Sequence, residues 1–247
     1  ERLVTDKGEW LLYKTVEQGK HVKQLIPAMV NNAIAKLPVP KPMRWGSGRT
    51  QFIRPVHTLT LMYGSSVLAG ESLNISANNL VTGHRFHHHG LVALTHAKEY
   101  ESALKEAHVV VDYQERKDTI QHQINAAAKE MGGTVVHDED LLEEVTSLVE
   151  WPVILTGSFD EEFLNVPPEP LIYSMKDHQK YFPVTDGKGN LLNKFIFVSN
   201  IASKDPSQVI KGNEKVIRPR LADAEFFFKT DKKQSLESRL ASLESVL

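Results

Sequence analysis

The sequence predicts an α+β fold with mixed, mostly antiparallel sheets and packed helices. Three observations predict it. The 247 residues, 41% of them hydrophobic, suffice to bury a core as one large domain or two small lobes. Short apolar runs flank turn residues, most clearly Tyr181–Val184 and Phe195–Asn200 around Asp186-Gly187-Lys188-Gly189-Asn190, a hairpin signature. Tyr113–Glu130 carries helical spacing and is closed by Gly132-Gly133.

In chain order, Trp10–Val16 reads as a strand and Val22–Lys36 as a helix, with Pro27 marking a kink or restart. Pro38, Pro40 and Pro42 force an extended connector, because proline disfavours helix in the residue before it. Phe52–Tyr63 and Val67–Leu80 read as strands joined through Gly64-Ser65-Ser66, and Thr82–Gly90 as a loop. Helical spacing resumes over Lys98–Ala107, and Val109–Val111 suggests a short strand. Beyond the helix Tyr113–Glu130, a strand is expected at Thr134–Val136, a helix at Asp138–Ser147 and a strand at Trp151–Gly157. A helix at Glu169–His178, the hairpin, and a helical C-terminal third from Pro206 complete the expectation. The division this suggests is a β-rich lobe with an N-terminal helix over 1–97, a helical segment over 98–147, and an α+β lobe ending in helices over 148–247; the last could be continuous with the first.

With no cysteine, disulfides and thiolate metal sites are excluded. No apolar run approaches the ~20 residues that span a bilayer, so no membrane role is expected. No signal peptide is visible and the chain starts with Glu1, as a piece excised from a longer protein would. The net charge of −2 hides segregation. Residues 1–54 hold ten Lys/Arg against four Asp/Glu, 131–175 hold ten acids and no Lys or Arg, and 204–233 hold eight Lys/Arg against five acids. Local basic density is compatible with RNA binding despite the acidic total, and equally with solvated faces.

The densest polar clusters are Asp177-His178-Gln179-Lys180 and Asn213-Glu214-Lys215-Val216-Ile217-Arg218-Pro219-Arg220. If Pro219 kinks rather than divides a helix, Ile210, Ile217, Leu221, Ala224 and Phe228 share one face. Lys211, Lys215, Arg218 and Lys229 then share an adjacent one, with Arg220 off that ridge. Such a ridge could meet phosphate, or could pair internally with Glu214, Asp223 and Glu225. In Gly83-His84-Arg85-Phe86-His87-His88-His89-Gly90, neighbouring side chains point apart and no Cys, Asp or Glu completes a first shell, so no metal site is expected. His84, Arg85 and His87 could donate to phosphate, or serve structural hydrogen bonds. Arg44, Arg49 and Arg54 with Trp45 offer charge and a stacking surface, or a packed Trp with solvated arginines; Gly46-Ser47-Gly48 lacks the remainder of a phosphate loop. His137-Asp138 and Asp177-His178 are adjacent in sequence, do not face each other, and make no catalytic dyad.

Four blocks together resemble the β subunit of bacterial two-subunit glycyl-tRNA synthetase. They are Leu171–Lys229 with both polar clusters, Lys36-Leu37-Pro38-Val39-Pro40-Lys41-Pro42-Met43-Arg44-Trp45-Gly46, Phe52-Ile53-Arg54-Pro55-Val56-His57, and Gly83-His84-Arg85-Phe86-His87. The resemblance implies an amino-terminal, noncatalytic region whose folds resemble the tRNA-binding and editing-like domains of a synthetase β subunit. It implies a tRNA-binding and assembly role in a cytoplasmic glycine–tRNA ligase, with tRNA(Gly) and the α subunit of an α2β2 enzyme as partners. ATP and magnesium then belong to the α subunit and no cofactor to this chain. The RNA-binding residues expected are Lys211, Lys215, Arg218, Arg220, His84, Arg85, His87 and Lys180, with no catalytic residue. An editing-type hydrolase acting on mischarged tRNA is the alternative, although no convincing base for it is visible.

Overall fold

The computed structural model describes residues 1–240, in two compact units. The helical expectation beyond residue 240 lies outside the described residues.

The first unit comprises residues 1–81 and 93–100. Its strands are short antiparallel pairs: Arg2–Thr5 with Gly8–Leu11, Met43–Arg44 with Gln51–Phe52, Met62–Tyr63 with Ser66–Val67, and Glu71–Ser72 with Ile75–Ser76. The hairpin at Gly64-Ser65 forms as expected, with Gly64 at φ +60. The long strands expected over 52–63 and 67–80 do not. Pro55 cannot donate to a ladder, and the turn at Leu73-Asn74, both at positive φ, divides the second run. The strand expected over 10–16 ends at Leu11. Helix α1 (Val22–Ala35) contains Pro27 and is capped by His21, whose Nδ1 accepts from the Lys23 N–H. It lies against the Glu71 strand, where Asn31 Nδ2 donates to the Glu71 carbonyl at 2.9 Å. Buried apolar side chains in this unit are Leu61, Leu68, Val81 and Leu94.

Of the described residues, the second unit comprises 82–92 and 101–240. Helix α2 (Tyr100–Glu106) belongs to it from Glu101 onward. No strand forms at 109–111; Val109 and Val110 make single backbone bonds to the Leu104 and Glu150 carbonyls instead. The centre is a four-stranded antiparallel sheet of β1 (Thr134–Val135), β2 (Val153–Ser158), β3 (Phe182–Thr185) and β4 (Leu191–Ser199), in the order β1-β3-β4-β2. The β3–β4 turn is closed by Asp186, whose carboxylate accepts from the Lys188 and Asn190 N–H groups at 2.8 and 2.9 Å.

Alternation along β4 divides the core between two faces. Ile196 packs with Ile120, Ile124 and Ala128 of α3 (Tyr113–Glu130) and Leu141, Leu142 and Val145 of α4 (Glu139–Leu148). Phe195 and Phe197 face the other way, into Leu171 of α5 (Pro168–Tyr173), Met175, and Ile217 and Leu221 of α6 (Pro206–Asp231). Residues 113–148, read from sequence as part of a separate helical segment, thus supply one strand and one helical layer to the sheet completed by 153–199. Gly157 sits opposite Phe195 in register, and a Cβ there would overlap the ring.

Local capping explains the helix starts. Asp112 accepts from the Glu115 N–H at 2.7 Å, Asp138 from Leu141 at 2.9 Å and Asp205 from Ser207 at 3.1 Å. Pro206 opens α6 at the position where a missing N–H costs nothing. The helix then runs through Pro219 unbroken for 26 residues, placing Ile217 and Leu221 at full burial. Among the described residues no helix is long and apolar enough to cross a membrane.

Candidate nucleic-acid interface

Continuity of α6 fixes where its cations project. At ~100° per residue, Lys211, Lys215, Arg218 and Lys229 fall within one narrow stripe, about a quarter-turn from the buried Ile217 and Leu221. Lys211 and Lys215 are exposed, and among the described residues neither has a carboxylate at ion-pair distance. The other two are engaged. Arg218 donates Nε to the Asp160 carboxylate at 2.8 Å and pairs with it again through Nη2. Lys229 pairs with Glu225 at 2.5 Å.

The remainder of the 213–220 cluster anchors the helix. Glu214 accepts from the Ser158 N–H at 2.8 Å and hydroxyl at 2.9 Å, tying α6 to the end of β2. Asn213 accepts from the Tyr181 hydroxyl at 2.6 Å and donates to the Val209 carbonyl at 2.8 Å. Burial pushes the Tyr181 phenol up to about 12, so it remains a donor at neutral pH. Arg220 is exposed on the opposite flank of α6 from Lys211. Lys180 is held at 2.9 Å from Glu144 and has φ +60.

The histidine-rich loop is arranged differently. His84 is 1% exposed. Its Nε2 meets the Asn200 carbonyl at 2.7 Å, and a carbonyl only accepts, so Nε2 carries the proton. Nδ1 then accepts from the Phe86 and His87 N–H groups at 3.2 and 3.3 Å. With both nitrogens taken inside the fold, His84 presents no donor to a ligand; the phosphate contact considered for it from sequence is not available. His87 stacks on His84 with ring centroids 4.6 Å apart, and its Nε2 accepts from the Ala202 N–H at 3.0 Å. Burial, then the neighbouring His84 and His108 rings, hold its pKa below the ordinary histidine value. A neutral ring that accepts at Nε2 carries its proton on Nδ1 and offers no donor at Nε2. His108 continues the ladder at 5.2 Å from His87 and meets Trp151 edge-on at 4.9 Å. The Asn200 side chain closes the arrangement by accepting from the Glu150 and Trp151 N–H groups. From this loop Arg85 alone among the expected contacts stands in solvent, its guanidinium 5.7 Å from the exposed Phe86 ring. Sequence reasoning missed His108, Trp151 and Asn200, which lie far along the chain and carry no motif of their own.

Among the described residues no group of three or more His, Cys, Asp or Glu is placed to hold a metal ion. Asp138, next to His137, is the cap of α4 and pairs with Lys176; that hydrogen bond, with the Leu141 N–H second, holds its carboxyl below the usual range. Of the eight residues expected to meet RNA, the cations that stand outward without an ion pair among the described residues are Lys211, Lys215, Arg220 and Arg85.

The family model described as glycyl-tRNA synthetase beta subunit matches residues 1–247. The chain belongs to that family. Proteins named glycine–tRNA ligase beta subunit are 66% identical over 247 residues in Colwellia psychrerythraea, 60% in Pseudoalteromonas translucida and 58% in Pseudoalteromonas atlantica. Each alignment covers 100% of this chain and 36% of the relative, so the chain spans little more than a third of the length of these proteins. Family membership covers every residue of the α6 ridge and of the histidine loop.

Proposed function

We propose that the chain is the tRNA-binding and assembly region of a glycine–tRNA ligase β subunit. It supports attachment of glycine to tRNA(Gly) by an α subunit that holds ATP and magnesium, in an α2β2 enzyme of the cytoplasm. The observation that carries this reading is the pair Lys211 and Lys215, exposed and without a carboxylate partner among the described residues, on a continuous 26-residue helix of a synthetase-family chain. Phosphate is the natural partner of such groups, because each contact releases condensed counterions and so contributes independently of sequence. Arg85 with Phe86 adds a second exposed cation beside a ring. Internal pairing, the competing use of the ridge, accounts for Arg218 and Lys229 but leaves these lysines unexplained.

The test is a titration of tRNA(Gly) against the assembled enzyme across a salt series. Lys211→Ala and Lys215→Ala are expected each to lower the slope of log affinity against log salt by about one unit. Unchanged slopes in both would remove the reading. The chain alone is expected to show no glycine-dependent ATP–pyrophosphate exchange, and robust exchange by it without the α subunit would contradict the noncatalytic assignment.

A further inference from the structure

The flank of α6 turned away from the lysine ridge lines a cleft of about 480 Å³, within the usual size range of small-ligand sites. Tyr173 and His178 stand on one wall, and Arg220, Asp223, Phe227 and Asp231 on the other. Tyr173 is 57% exposed and Phe227 62%, although each joins an element whose other face is fully buried.

The backbone at the first wall is unusual. α5 continues into a π-helical turn, Ser174–His178, and Lys180 then adopts φ +60. An uninterrupted α-helix would put Tyr173 and His178 roughly 140° apart at ~100° per residue. The wider turn brings their rings to 5.2 Å, edge to face at 77°, on the same cleft. Single π turns and non-glycine residues at positive φ concentrate where a ligand is handled, because stability alone does not favour them. Of the Asp177-His178-Gln179-Lys180 cluster, which the lysine ridge does not use, His178 is the member that lines the cleft.

The chemistry of the lining narrows the occupant. Two exposed aromatic rings suit a flat group. The Arg220 guanidinium suits an oxyanion, and the Asp223 carboxylate accepts from amino groups. Asp223 and Asp231 disfavour a bare anion, and the charged lining disfavours a purely apolar ligand. A flat group with an amino edge and an attached phosphate meets all of these conditions. We propose that the cleft binds one unstacked nucleotide of single-stranded RNA, its base against Tyr173 and Phe227 and its phosphate toward Arg220. This rests on the tRNA-binding reading and adds to it a site that recognises a base rather than backbone charge.

The experiment uses the assembled enzyme with two probes, tRNA(Gly) and a short oligoadenylate carrying one 2-aminopurine, whose fluorescence falls on stacking. Wild type is expected to quench the probe. Tyr173→Ala and Phe227→Ala should each abolish the quench and weaken oligonucleotide binding about tenfold, the scale of losing one base–aromatic stack. They should leave the salt slope unchanged, and Tyr173→Phe should behave as wild type. Melting is measured alongside; Asp223→Asn, which preserves shape, supplies an independent variant expected to weaken the adenine probe. Wild-type binding in both alanine variants, while Lys211→Ala still lowers the tRNA slope, would overturn the cleft and leave the tRNA reading standing. Occupation by an arginine-rich peptide, lost in Asp223→Asn while the oligonucleotide is unaffected, would overturn it in favour of a protein partner. Failure of wild type to bind tRNA at all would instead remove the reading beneath it.

Discussion

The histidine loop Thr82–Gly90 and the helix α6 both crowd polar side chains around an aromatic or basic motif, yet they have opposite fates. In the loop, both ring nitrogens of His84 and Nε2 of His87 meet backbone atoms of residues 86, 87, 200 and 202. On α6, Glu214, Asn213 and Arg218 make equivalent anchoring bonds, while Lys211 and Lys215 stay in solvent. Density of polar residues therefore does not mark a binding surface. On the proposed reading, the surface is marked instead by the donors left over once the fold has paired its buried polar groups, because a buried unpaired group is costly.

The comparison is most sharply broken at His84. His84→Ala removes a fully buried ring and leaves the Asn200 carbonyl and two N–H groups without partners. A loss of about 2–4 kcal/mol in urea unfolding is expected. A loss below ~0.5 kcal/mol would show the loop to be less tightly built than its geometry indicates.

His87 gives a smaller, pH-dependent effect. Its folded-state pKa lies below the unfolded value of about 6.5, so the unfolded chain binds the proton more readily. Its contribution is present above the unfolded pKa and is lost as pH falls from there toward the lower folded value. Protonation at Nε2 also ends the bond from the Ala202 N–H. The melting temperature is expected to fall between pH 7 and 5.5, and less steeply in His87→Gln. Equal slopes in the two proteins would contradict the neutral-acceptor assignment.

Arg218→Ala lies between the two regions in kind. Its ion pair with Asp160 is largely solvent-exposed, so a stability change under about 1 kcal/mol is expected by thermal or chemical melting. Lys211→Ala and Lys215→Ala should change stability least, within about 0.5 kcal/mol, as surface substitutions without partners do.

Much of the second unit was legible in the sequence. The Asp186–Asn190 hairpin, the helices at 113–130 and 139–148, and the long C-terminal helix follow from turn chemistry, capping residues and apolar spacing, which act over a few residues. The first unit was less so. Its apolar runs over 52–63 and 67–80 look like strands, but only two-residue ladders form, since pairing depends on partners that local pattern does not name. The π turn at Ser174–His178 was read as plain helix because the same apolar spacing serves both. For the site, the ridge of Lys211, Lys215 and Arg218 was readable from helical spacing alone. That Arg218 is paired with Asp160, 58 positions away, was not. Nor was the use of His84 against Asn200, 116 positions away, because such partners are chosen by tertiary packing.

The measurement closest to the central claim is the salt dependence of tRNA(Gly) binding by assembled enzyme carrying Lys211→Ala and Lys215→Ala together. The leftover-donor account predicts a slope lower by about two units, with melting unchanged and weakening that does not depend on tRNA sequence. A wild-type slope in the double variant would contradict it and return the α6 cations to the status of an ordinary solvated helix face.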